Sequence, residues 1–297
     1  MMKSLEKFVY KLFGSLSILS ALTYGIAAYS APAFFFGPGG PMEIYKEPVH
    51  EISIAYMRTH GTNTLCLVLT WLLFTRGNKP RKRAFTKMLL TAQFAILPTM
   101  LRVMHDEKFD DRYQQGPWLA GIGVALLHIV FLTLVLKKYP APRIQETPLT
   151  TTDRIGLALL NAYAAFFCFS RLLLGPDPKF WDTAKLEMGV FELEMKECAY
   201  MMATAMVPIV YFLIFDAWSL PIFAYKMNVL YMILALPVMY KQCYDTGGFG
   251  KPRASASVLF GHVCFMTFSL SRLGAFKKET CGDLELKKRI SVGGKAA

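Results

Sequence analysis

The chain of 297 residues is 54% hydrophobic, carries a formal charge of +12 and has a mean hydropathy of +0.35. Its apolar residues gather into stretches of about 20, enough for a helix to cross a hydrocarbon core of about 30 Å, which excludes an ordinary soluble domain. Strands are excluded too, because lipid offers backbone N–H and C=O groups no partner, so spanning segments of this length must satisfy them internally as helices.

The pattern predicts an all-α, polytopic membrane protein with about eight transmembrane helices, near residues 8–30, 52–75, 84–103, 117–136, 154–174, 198–215, 222–240 and 255–276. The first stretch follows Lys3, Lys7 and Lys11 and is succeeded by seven more, so it reads as a retained span and not a signal peptide. After it comes a long loop in which Pro32, Pro38, Gly39, Gly40, Pro41 and Pro48 surround Phe34, Phe35 and Phe36, expected to pack as a lid at the outer interface. The second span opens on Glu51, Arg58, His60 and Asn63, with helical spacing placing His60 and Asn63 on one face. The basic run from Arg76 to Lys87 follows, a topology determinant able to meet anionic lipid heads. Pro98 should kink the third span, which ends at His105 and Asp106, and His128 lies within the fourth.

Past a linker at 140–152, the loop after the fifth span carries Phe180 and Trp181, expected as headgroup-level anchors. At the start of the sixth span Glu192, Glu194 and Glu197 surround Lys196, the counterpart of Arg58. Pro237 should kink the seventh span, Tyr244 and Asp245 close it, and His262 lies within the eighth. Lysines and arginines concentrate in alternate segments (Lys3 to Lys11, Arg76 to Lys87, Lys137 to Arg154, Lys277 to Lys295), so both termini are expected on the cytoplasmic side. This distribution accounts for the positive charge as topology and gives no reason to expect a nucleic-acid partner.

The two halves repeat. Lys87 and Met88 correspond to Lys226 and Met227, Leu97 and Pro98 to Leu236 and Pro237, Met100 to Met239 and Asp106 to Asp245, all 139 residues apart. In the last span of each half Val124, His128, Phe131, Thr133 and Leu136 correspond to Val258, His262, Phe265, Thr267 and Leu270, 134 residues apart. The expected organisation is therefore two tandem four-helix units, 1–139 and 153–278, joined by the 140–152 linker and followed by a basic tail at 279–297. Four spans per unit is an even number, so the copies insert in the same direction as parallel repeats.

Ionisable groups at membrane depth are candidates for function. The expected ligand-binding residues are Glu51, Arg58, His60, Asn63, His128, Glu194, Lys196 and His262. No metal site and no cofactor is predicted. The alternative for the paired histidines His128 and His262 is axial ligation of haem, against the plainer reading that an ancestral interhelical hydrogen bond was copied. The six cysteines form no Cys-x-x-Cys, the 16 methionines read as core filling, and no phosphate loop, nucleophile elbow or dinucleotide fingerprint occurs.

Tyr24-Gly25 through Pro32, the Gly/Pro loop, and then Tyr56-Met57-Arg58 with Gly61 resemble the start of DoxX-like four-helix membrane families. The resemblance covers about one unit and implies a four-helix membrane bundle, in some members associated with redox or quinone-linked partners; it carries over no catalytic residue. The second unit has Lys196 for the arginine and lacks the glycine. The expected function is a membrane protein that binds a hydrophobic small molecule or partner helices within the lipid bilayer. The alternatives are a membrane enzyme or redox protein acting on a lipid or quinone, with Glu51, Arg58, His60 and His128 in one cavity, and a small-molecule transporter with its site between the repeats.

Overall fold

The structure is a computed structural model and describes residues 2–138, 145–174, 181–182, 192–244 and 250–275. The described residues are helical, with no named strand: α1 (Met2–Ser30), α2 (Pro32–Phe36), α3 (Glu51–Phe74), α4 (Lys79–Met104), α5 (Phe109–Arg112), α6 (Gln115–Lys138), α7 (Thr151–Leu174), α8 (Glu192–Phe215), α9 (Pro221–Tyr244) and α10 (Pro252–Arg272). Six of them, α1, α4, α6, α8, α9 and α10, contain stretches long and apolar enough to cross a membrane. Leu12, Leu16 and Leu19 on α1 and Leu127, Val130 and Leu134 on α6 point outward, as side chains facing lipid would.

Two helix starts differ from the sequence expectation. α4 begins inside the basic run, where the Asn78 side chain accepts from the Arg81 N–H and Pro80 sits at the N-terminus, where its missing N–H costs nothing. α8 begins at Glu192, so the charged stretch Glu192–Glu197 is helical and the apolar span continues from it. Glu192 and Glu194 suit the positive end of the helix dipole. α7 starts on a reciprocal cap, with the Thr150 hydroxyl accepting from the Asp153 N–H and the Asp153 carboxylate accepting from the Thr150 N–H at 3.0 Å.

α3 and α8 pack against each other, and the remaining long helices are arranged around them. α1 and α9 flank α3, and α4 and α7 flank α8. α10 lies on α9 and reaches α7 through Tyr163 and His262, whereas α6 lies on α4 and reaches α1 through Ser17 and His128. The contacts close a ring pinched in the middle by α3 and α8. One chamber is walled by α3, α7, α8, α9 and α10, and the other by α1, α3, α4, α6 and α8. Contacts of α4 with α8, and of α3 with α8 and α9, all cross the 140–152 boundary. The described part of that linker is tied down at Glu146, which accepts from Arg81 at 2.6 Å and from the Phe223 N–H at 3.1 Å.

Close approach sets the α1 and α3 contact. A Cβ on Gly61 would stand 2.5 Å from the Tyr29 nitrogen and 2.8 Å from the Ala28 carbonyl carbon, so the two backbones touch there only because the side chain is absent.

Candidate functional site

The first chamber contains a cavity of about 1010 Å³ including its mouth. Its walls carry Met202 and Met206 from α8, Met227, Met232 and Met239 from α9, and Leu160 and Phe167 from α7. Several polar groups in the wall are engaged with the fold. Gln242 donates to the Ala55 carbonyl and the Thr59 hydroxyl, both at 3.1 Å, and Asn228 donates to the Phe265 carbonyl at 3.1 Å and to Ser269 at 2.7 Å. The surface left for a guest is apolar and adaptable, since methionine side chains reshape readily around irregular partners. One wall carries Tyr163 and His262, with the hydroxyl 2.8 Å from Nδ1, and Nδ1 is also 2.9 Å from the Val258 carbonyl. The Tyr163 hydroxyl is also 3.5 Å from the Val258 carbonyl, so hydroxyl, imidazole and carbonyl form one cluster whose donor at Nδ1 depends on the tautomer.

At the end of the second chamber where α3 and α8 begin lies a different constellation, built from the loops. The segment after α2 folds back onto the turn before α6: Lys46 N–H donates to the Arg112 carbonyl, Gln114 N–H donates to the Ile44 carbonyl, and Tyr45 pairs with Tyr113. This is the lid expected from the Gly/Pro loop, and its aromatic residues fill the interior: Phe36, Tyr45, Phe109, Tyr113 and Trp118 are all buried. Arg112, 2% exposed, is clamped between Glu47 and the wholly buried Glu194. The other Glu194 oxygen accepts from the His50 N–H at 3.0 Å. Burial opposes the Arg112 charge, but the hydrogen bond and field of Glu194 outweigh it and push its pKa up. Burial also pushes the Tyr113 and Tyr45 phenols well above their usual range, reinforced by Glu197 and Cys198, and lowers the His50 imidazole against the pull of Glu194.

The residues singled out from sequence are distributed over these regions. Glu51 is exposed on the first turn of α3, and Lys196 pairs with Glu192 one turn away on α8. Arg58 is half-buried. His60 is buried, with Nδ1 2.9 Å from the Tyr24 hydroxyl. Asn63 is fully buried, and neither atom of its amide meets a hydrogen-bond partner. Glu194 belongs to the Arg112 clamp, and His262 to the cavity wall. His128 bonds Ser17 at 2.8 Å and packs edge-on against Phe13. His128 thus bridges α6 and α1, and His262 bridges α10 and α7. Among the described residues no group of three or more His, Cys, Asp or Glu side chains is placed to hold a metal ion.

Trp181 is a correction. It is 5% exposed and donates its indole N–H to the Tyr56 hydroxyl at 2.9 Å at the cavity, instead of anchoring at a headgroup surface. His105 bonds back to the Leu101 carbonyl and Asp106 accepts from the Lys108 N–H, so this pair finishes α4. Asp245 lies outside the described residues. Sequence reasoning missed Arg112, Tyr45, Tyr113 and Trp118; the available signal was the aromatic residues interrupting an otherwise charged loop.

Comparison with known proteins adds no assignment: no family model, no curated protein and no solved structure matches this chain.

Proposed function

We propose that this chain is a multi-pass membrane protein that holds a hydrophobic small molecule in the methionine-lined cavity between α3, α7, α8, α9 and α10. The observation that carries the reading is the lining itself: a cavity whose wall is mostly apolar, with methionine, aliphatic and aromatic side chains and with Tyr163 and His262 on one side. A guest that is mostly apolar with a single hydrogen-bonding end fits such a wall. α3 and α7 join the six apolar helices as spans, giving eight and placing both termini on the cytoplasmic side. The halves are parallel DoxX-like repeats that have exchanged partners, so that α3 packs on α9 and α8 packs on α4. The supporting observation is that exchanging α1, α3, α4 and α6 for α7, α8, α9 and α10 turns each of these neighbour relationships into another that is present. The test is mass spectrometry of organic extracts from the purified protein, compared with Met206→Trp, which fills the cavity. A stoichiometric apolar molecule retained by the wild type and lost from a folded Met206→Trp variant supports the reading; extracts without one, or equal retention by both, overturn it.

A second reading is favoured by one observation: the cavity wall draws Tyr56, Thr59 and Cys66 from the first half and its other helices from the second. A site between halves is the arrangement of repeat-built transporters. Uptake of the extracted molecule into proteoliposomes distinguishes carriage from storage.

A further inference from the structure

The second chamber contains a buried carboxyl that its surroundings do not neutralise. Glu194 is matched at both oxygens, by Arg112 and by the His50 N–H. Glu197, three residues on and 4% exposed, is not. Its Oε2 meets no hydrogen-bond partner, and among the described residues no lysine or arginine forms an ion pair with it. Two wholly buried hydroxyls near it are unsatisfied as well. Tyr113 stands beside Glu197, short of hydrogen-bonding geometry, and the Ser53 hydroxyl lies against neighbouring Cys198.

The groups around this point can be named element by element. Tyr24 of α1 and Tyr45 of the lid lie in its field, Glu47 and His50 of the lid lie with Arg112 and Glu194, and Ser53 and His60 on α3 meet Cys198 and Tyr24. Arg112 and Tyr113 come from α5 and the residue after it, and Glu194 and Cys198 from α8 itself. On α4 the nearby cation, Arg102, is stacked over the Tyr200 ring. Arg112 is committed to Glu194 and Glu47. A second carboxylate here would be a buried charge beside a like charge with no cation of its own, a situation that proteins resolve by taking up a proton.

We propose that Glu197 is a buried proton-binding site, held as the neutral acid beside Tyr113. The unsatisfied Tyr113 hydroxyl is a group that the protonated carboxyl would use. On ionisation the O–H bond breaks, the electron pair stays on the carboxylate and the proton leaves to water. Glu47, 52% exposed and bonded to Arg112, marks the wet side of the clamp. This site is independent of the apolar cavity and of its guest.

Infrared titration of the full chain in detergent tests the proposal, reading the C=O stretch of protonated carboxylic acids. At neutral pH the wild type should show such a band, moved by carbon-13 glutamate labelling, bleached at alkaline pH and lost in Glu197→Gln. The same variant should keep the neutral-pH Tm and lose the alkaline fall in Tm. Absence of a glutamate-derived band in the labelled wild type overturns the proposal whether or not the variant folds. A band that persists in Glu197→Gln also overturns it, as does a sodium-dependent Tm abolished by that variant, which would make the occupant a metal cation.

Discussion

Replacing Arg112 by methionine removes the guanidinium and keeps much of the side-chain volume. Arg112 is 2% exposed and Glu194 is fully buried, so the change strands a carboxylate that water cannot reach. Breaking a buried ion pair from one side costs about 3–5 kcal/mol. The Glu47 contact adds little, because that side chain is 52% exposed and exposed pairs contribute about 0–1 kcal/mol. At roughly 2–4 °C per kcal/mol, Arg112→Met should lower Tm by on the order of 10 °C. Thermal unfolding in detergent, followed by tryptophan fluorescence, is a suitable assay because Trp118 packs 5.3 Å from the Tyr113 ring. The double variant Arg112→Met with Glu194→Met removes both charges and should recover most of the loss, since an apolar pair of similar volume substitutes well for a buried ion pair. A single-variant shift below about 2 °C, or a double variant that loses the sum of the two singles, would refute the clamp as the closure of this chamber.

Two further outcomes follow from local geometry. Gly61→Ala drives a methyl group into the α1 backbone at 2.5 Å and should cost about 1–3 kcal/mol, seen as a lowered Tm; an unchanged Tm would mean that α1 and α3 are not in contact there. Asp153, ahead of the apolar stretch of α7, is buried, which works to raise its pKa, but hydrogen bonds from Arg272, Thr150 and Tyr225 outweigh this and hold it below the usual carboxylate range. The folded value is therefore the lower one. The resulting stabilisation is fully present above the unfolded value of about pH 4 and is lost as pH falls through the folded value. Asp153→Asn should reduce stability at neutral pH by about 1.5–3 kcal/mol and flatten the acid limb of a Tm-against-pH curve; a variant with an unchanged acid limb would place that dependence elsewhere.

The helices were legible because a span has to be apolar along its length, and this signal needs no knowledge of neighbours. The start of α8 was not, because four charges within 192–197 look like an interfacial loop until the lid and the turn before α6 are known to cover them. Glu194 and His60 were visible as ionisable groups near an expected span. Their partners, Arg112 and Tyr24, were not, since a lone arginine in a charged loop and a tyrosine in an apolar helix carry no mark of what they will meet across 82 and 36 residues. Helical spacing places His60 and Asn63 near one face, yet it cannot tell that His60 would find a tyrosine and Asn63 nothing. Burial by a distant segment is a tertiary fact, and periodicity reports only which face of a helix is apolar.

Contacts between distant helices also bear on how the two chambers are closed. α3 is flanked by α1, which precedes it, and by α8 and α9, which follow it by more than a hundred residues. Neither chamber can close from the first half alone: the cavity needs α7 to α10, and the polar chamber needs α8 to supply Glu194, Glu197 and Cys198. Without α8, Arg112 lacks Glu194 and keeps the half-exposed Glu47. Packing of α8 therefore both buries Glu197 and brings Glu194 to Arg112. The clamp and the unneutralised carboxyl are products of the same helix contact, since both carboxyls stand on one turn of α8.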